Sequence, residues 1–196
     1  REMLTACGGN RLQLYVDRAR IFETWEVEIT YRDIQPEPAH AIAEPEIWVG
    51  PLRSWIRFHL AIGHSKILQT VVLENHSSRI DFSTAVDFQE QRRMLRVAFD
   101  TTVKAREANC DIQHGFRQRP THRNTSWDLA CFEFAAQRYV DLSDDVGGIA
   151  LLNDCKYGYR VQEGELELNL LRSPVQIDPE ADSGHHEFTY SLMTHS

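Results

Sequence analysis

The chain has 196 residues, 42% of them hydrophobic and 26% charged, with a net charge of −8. That is a globular composition. The acidic balance excludes a nucleic-acid or anionic-membrane surface, which needs clustered cations to neutralise phosphate, and no apolar run approaches the ~20 residues that span a bilayer.

Arg1 opens the chain with no charged-then-apolar leader behind it, which reads as a piece of something longer or a trimmed chain. Cys7, Cys110, Cys131 and Cys155 are widely spaced and form no Cys-x-x-Cys pair. Four reduced, mostly buried thiols in a cytoplasmic protein are therefore expected, rather than a zinc site or a disulfide framework. Asn75-His76-Ser77 and Asn124-Thr125-Ser126 fit the glycosylation pattern, which carries no weight without a secretory signal.

In chain order, Arg11 to Val16 predicts a strand with Leu12, Leu14 and Val16 on one face. Phe22, Trp25, Val27, Ile29 and Tyr31 predict a second, with Glu26 and Glu28 pointing the other way. Pro36, Pro38 and Pro45 mark residues 35–45 as a loop or weak linker, the best internal boundary in what reads as one domain over 1–196. Ser54, Ile56, Phe58 and Leu60 alternate with Arg53, Trp55, Arg57 and His59, as a half-buried strand does. A turn at Gly63-His64-Ser65 returns the chain through Lys66 to Leu73, and Asn75 to Ser78 turns it again into Ile80–Phe88. Strands follow at Leu95–Phe99, Asn109–Gly115, Cys131–Val140, Gly148–Leu152, Leu166–Leu171 and Glu187–Met193.

No window of eleven or more residues carries a helical stripe, and no repeat or low-complexity tract is present. About ten short strands punctuated by turns predict an all-β fold, an antiparallel two-sheet β-sandwich. Phe58, Phe82, Phe99, Phe132 and Phe134 are assigned to its core.

Four polar clusters lie in the last eighty residues. The first, Gln118 to Asp128, packs Arg119, His122, Arg123, Asn124, Trp127 and Asp128 into a stretch with no strand or helix period. A solvated connection could look the same, but an indole among guanidinium groups also suits a sugar surface. The second, Leu152 to Tyr159, has the Asn-Asp pair and aromatics that a plain hairpin also needs. The third, Leu170-Leu171-Arg172-Ser173-Pro174, puts a cation at the end of an apolar strand. The fourth, Asp178 to Tyr190, sets His185 and His186 beside Asp178, Glu180 and Asp182. Adjacent histidines on a strand face opposite ways, so both binding one ion is disfavoured. Spacing selects no carboxylate pair from the 29 acidic residues, and no Gly-x-Ser-x-Gly elbow is present.

Together and in this order, Arg119 to Asp128, Ala150 to Tyr159, Leu170 to Pro174 and Asp178 to Tyr190 resemble the C-terminal β-region of glycoside hydrolase family 38 α-mannosidases, in their cytosolic and bacterial branch. The likeness continues more loosely upstream through Gly50–Arg53, Gln69–Leu73, Arg79–Phe82 and Leu95–Phe99. The chain departs from the family pattern at Glu23-Thr24-Trp25-Glu26, Phe88 and Arg92. It departs again at Leu129 and Cys131, where the family has a second Trp and an Arg.

The resemblance implies a retaining enzyme acting on terminal α-mannosides. Its zinc ion and aspartate nucleophile would sit in another domain, so this chain would hold neither catalytic residue nor metal. It would supply one wall of the sugar pocket against that catalytic domain. Arg172 is the match to a family arginine near the mannose, with His122, Asn124, Asp128, Asp182 and His186 as neighbours. By itself the chain is expected to bind no zinc and to hydrolyse no aryl α-mannoside. The rival expectations are a stand-alone carbohydrate-binding module stacking sugar on Trp127, Tyr157 and Tyr159, and a structural β-domain without a ligand.

Overall fold

A computed structural model describes residues 2–6 and 8–196; the expectation for Cys7 lies outside them. In chain order the elements are β1 (Arg11–Val16), β2 (Glu37–Pro38), β3 (His40–Ala41), β4 (Glu46–Val49), β5 (Arg53–Ile62), β6 (Ser65–Glu74), β7 (Arg79–Phe88) and β8 (Arg93–Asp100). They continue with β9 (Glu107–Ile112), β10 (Gly115–Pro120), the helix α1 (Ser126–Ala130), β11 (Phe134–Ala135), β12 (Tyr139–Asp144), β13 (Gly147–Asn153), β14 (Gly158–Gln162), β15 (Glu165–Arg172) and β16 (Gly184–His195). One sheet has six strands in the order β11-β14-β15-β8-β1-β2. The other has ten, in the order β10-β9-β12-β13-β16-β7-β6-β5-β3, with β4 also paired to β5. The protein is an antiparallel two-sheet sandwich, as the period-two segments predict.

The alternating strands bury one face each. Leu12, Leu14, Val97, Phe99, Leu166 and Leu168 of the six-stranded sheet meet Ile67, Phe82, Val86, Leu142, Ile149, Leu151 and Tyr190 of the other. Phe82 stacks on Tyr190 with ring centres 5.1 Å apart, and Phe99 packs on both. Of the five phenylalanines assigned to the core, Phe82 and Phe99 are fully inside. Phe134 packs against the core's rim, and Phe132 packs on the outer cluster of Tyr15, Tyr31 and Met94. Residues 35–45 strap one edge of the sandwich, with β2 paired to β1 and β3 to β5.

Three segments differ from expectation. Phe22 to Tyr31 is not a strand: it turns at Phe22–Glu26 and then forms a 3-10 helix at Ile29–Asp33. β1 is paired along its length by β8 and at Gln13 and Leu14 by β2, and Phe22 to Tyr31 joins neither sheet. Its alternation leaves Phe22, Trp25 and Ile29 exposed, while Tyr31 is buried edge-on against Tyr15 at 5.0 Å and Val27 packs beside them. Cys131 to Val140 is not one strand either; it holds the end of α1, the two-residue β11 and the start of β12. The stretch read as an aromatic hairpin turn runs into β14, whose Tyr159 is fully buried and stacked on Phe134.

Candidate functional site

β15 carries Arg172 at its last position, and the local register decides where it points. β15 pairs with β8 as Glu165↔Asp100 through Asn169↔Arg96, then slips to Leu171↔Leu95 and Arg172↔Met94. The slip is a bulge, and one extra residue reverses the face of everything after it. Leu171 therefore joins Leu95 in the core, while Arg172 shares the outer face with Met94.

On that face the guanidinium forks onto Asp17, with Nε bonded to one carboxylate oxygen and Nη2 3.3 Å from the other. It also donates to three backbone carbonyls, those of Glu23 at 2.7 Å, Thr24 at 3.2 Å and Glu26. A planar five-donor group suits this arrangement and a lysine does not. Arg172 thereby pins residues 17–28 to the end of the sheet. Arg92 reinforces it, with Nε 2.8 Å from Glu23 Oε1, and holds that carboxyl below the usual carboxylate range. Val175 and Gln176 bind the same segment from the other side.

Asp182 accepts the backbone N–H of Arg172 at 3.0 Å, and His186 Nε2 lies 2.9 Å from the Asp182 carbonyl. The structure thus brings Arg172, Asp182 and His186 together. Beside them opens a polar cleft of about 620 Å³, lined by Arg18, His64, Glu90, Arg93, Glu180 and Ser183 among others. Glu90 is buried at its floor, accepting from the His64 N–H at 2.6 Å and the Ser65 hydroxyl at 2.9 Å. Gly63 makes room: with φ +55 it suits the hairpin turn, and a Cβ there would collide with the Glu90 carboxylate and Leu14.

His122, Asn124 and Asp128 are elsewhere. Their loop bonds to the end of β14, where Arg123 Nη2 donates to the Val161 carbonyl at 3.1 Å and Glu163 N–H donates to Thr121 at 3.0 Å. That end of β15 is Glu165, seven residues from Arg172 and so roughly 23 Å away by strand rise. The six residues expected around one sugar form two groups at opposite ends of the sheet. In the second group Asp128 caps α1, exchanging bonds with Thr125 through backbone and side chain. Those bonds hold its carboxyl below the usual range. His122 Nδ1 is 3.4 Å from Asp128, and Asn124 is exposed.

Several cleft residues escaped sequence reasoning. Arg18, His64, Glu90 and Glu180 come from four separate connections, so no spacing links them. The triplet Gln91-Arg92-Arg93 reads as a solvated face, yet Arg92 clamps Glu23 and Arg93 lines the cleft. The stretch Gln118 to Asp128, read as having no strand or helix period, holds the end of β10 and most of α1; the signal that could have shown the helix is its capping box, Thr125 three residues before Asp128. Leu129 and Cys131 both lie on the surface. Among the described residues no group of three or more His, Cys, Asp or Glu side chains converges to hold a metal ion. No helix there is long and apolar enough to cross a membrane.

Comparison with known proteins places the chain in a family. Residues 1–180 match the profile of the glycosyl hydrolases family 38 C-terminal domain. The chain is 41% identical over 195 residues to alpha-mannosidase G of Dictyostelium discoideum, covering 95% of this chain and 18% of that protein. It is 41% identical over 189 residues to human alpha-mannosidase 2C1, with the same coverage. A crystal structure of an alpha-mannosidase from Enterococcus faecalis V583 superposes with a TM-score of 0.77 at 15% identity, over 95% of this chain and 26% of that one. The chain spans about a fifth of the curated relatives it matches. With a family profile over nine-tenths of its length and the same sandwich in a solved relative, the chain belongs to the glycosyl hydrolase family 38 C-terminal domains.

Proposed function

We propose that this chain is the C-terminal β-domain of a longer, cytoplasmic α-mannosidase, and that its Arg172 end forms one wall of the mannoside site. The observation that carries this is the polar, open cleft beside a loop clamped by Arg172 and Arg92. Such a wall offers rigid donors and acceptors to sugar hydroxyls without supplying the reaction itself. In this reading the nucleophile, the acid and the zinc are assigned, as the likeness to family 38 implies, to a catalytic domain outside this stretch. Arg172 is a positioning residue in this reading: its donors are engaged by Asp17 and three carbonyls, and it acts by fixing Arg18 at the lip. Asp182 and His186 fix the opposite lip. His122, Asn124 and Asp128, at the far end, would meet a different part of the substrate or of the catalytic domain.

The cytoplasmic assignment is supported by the likeness to alpha-mannosidase 2C1; the expectation of mostly buried thiols fails, since Cys110 is buried but Cys131 and Cys155 are exposed. The stacking-platform alternative loses its support, because Tyr159 is buried in the core while Trp127 and Tyr157 are exposed. The test is hydrolysis of 4-nitrophenyl α-mannoside. The full-length parent turns it over and this chain alone does not; turnover by the rigorously purified chain would place the catalytic carboxylates here and overturn the proposal.

A further inference from the structure

The inward face of the ten-stranded sheet runs out from beneath its partner. Across four strands the register places Ile47, Ile56, Val71 and Phe82 in one row. Phe82 is buried, whereas Ile56 is 39% and Ile47 66% exposed. In the next row Val49 and Leu73 are 78% and 49% exposed. Further along the same strands, the same face carries Ile62, Ile67, Val86 and Phe88, all buried. These exposed side chains therefore continue the core rather than decorate a surface. β4 adds an open edge: among the described strands it pairs with β5 alone, and all four of its residues are exposed. Long apolar edges and uncovered apolar rows drive association unless something covers them.

We infer that this face is covered by the parent's own polypeptide from outside this stretch, presenting an apolar surface to Ile47, Val49, Ile56 and Leu73. The inference rests on the reading of the chain as a domain of a longer mannosidase. Three observations favour this occupant over a second copy. Four-fifths of each curated relative lies outside the matched stretch. The uncovered rows also lie at the end where Glu2 and Thr5 bond to Thr102 and Asp100, so chain ahead of the matched stretch would approach the sandwich here. Asn10 marks the boundary, its side chain bonded to Gln69 and Tyr190 where cover ends. Finally, the rows are continuous with the domain core, which a tethered segment covers at high effective concentration whereas a second copy must bind from dilution.

The experiment uses the full-length parent, footprinted with photogenerated carbene and read by mass spectrometry, with mass in solution measured at two concentrations. The result expected is labelling of Ile47, Val49 and Leu73 at least tenfold below that of Val146, which is exposed on the β12–β13 turn, in a particle whose mass does not change with concentration. The Ile47→Asp/Val49→Asp double variant of the parent should lose that protection and melt several degrees lower. Labelling equal to that of Val146 would overturn the inference. So would protection that appears only with a concentration-dependent doubling of mass, which would assign the face to a second copy. The two readings separate cleanly: a parent that hydrolyses α-mannosides with an unprotected face contradicts only this inference, and a protected face in a parent without hydrolysis contradicts only the proposed activity.

Discussion

Glu167 sits at the centre of an ion network on the outer face of the six-stranded sheet. Its side chain is fully buried and lies 2.5 Å from Arg32, 3.0 Å from Arg96 and 2.8 Å from Arg160. Arg96, also fully buried, reaches on to Glu133 at 2.5 Å and to the Tyr31 hydroxyl at 2.9 Å. Burial by itself raises the Glu167 pKa, but Arg96, Arg160 and Arg32 outweigh it and hold the carboxyl at about 2. Neighbouring Glu165 goes the other way, raised by burial and by the Glu167 charge. Removing one member of a buried pair strands the others, which costs about 3–5 kcal/mol. Glu167→Gln should therefore lower the urea midpoint by that equivalent at pH 7. The sign of the pH dependence follows from the depressed pKa. The stability that Glu167 contributes is complete above its unfolded value of 4.5 and is lost as pH falls towards 2. The variant should be flatter than wild type over that acid limb, and parallel curves would show that the network contributes nothing.

At the scale of elements, legibility depended on whether a segment's own pattern matched its place in the sheet. The strands β1, β5 to β8, β13, β15 and β16 read correctly from alternation, because each has one face in the core. Residues 22–31 alternate equally well but join no sheet, and long-range bonds from Arg172 and Arg92 hold them instead. Alternation is local and these long-range bonds are not, so the sequence could not distinguish the two. The bulge that turns Arg172 outward is likewise set by β8 pairing, not by anything within Leu170-Leu171-Arg172. A consequence is that Arg172 is not the free strand-end cation its position suggests, since its partner Asp17 is almost fully buried. Bonds to charged groups contribute about 1.5–3 kcal/mol, so Arg172→Lys should lower stability by that order. It should also loosen residues 17–28, speeding tryptic cleavage at the exposed Arg18 and Arg20. Unchanged cleavage would mean that the loop holds itself. The helix α1 depends on its cap alone, being five residues long with none buried. Thr125→Ala removes about 1 kcal/mol of local stability; amide exchange over 126–130 should accelerate while the global melting temperature barely moves.

For the whole molecule, the sandwich was legible and the site was not, for one reason. A β-sandwich is defined by patterns inside each strand, whereas its cleft is assembled from connections that meet only when the sheets close. Arg18, His64, Gln89 to Gln91, Arg93, Pro179, Glu180 and Ser183 line one cavity although no motif joins them. Resemblance supplied six residues, of which Arg172, Asp182 and His186 flank that cavity and His122, Asn124 and Asp128 sit at the other end. The molecule therefore has one end where Arg172 and Arg92 clamp a loop beside the polar cleft, and an opposite end where the apolar rows are exposed.

The central claim is that the cleft at the Arg172 end is a wall of the sugar site. Arg18 and His64 both line it, and both are exposed, so neither holds the core together. The direct measurement is kcat/KM for 4-nitrophenyl α-mannoside in the full-length parent carrying Arg18→Ala or His64→Ala, with the melting temperature taken on the same preparations. A hydrogen bond to substrate made in the transition state contributes about 0.5–1.5 kcal/mol, or roughly two- to tenfold in rate. The account predicts a loss of that size in each variant and a larger one in the double, with melting temperatures unchanged. Wild-type kinetics in both variants would contradict it and leave the cleft without a role in catalysis.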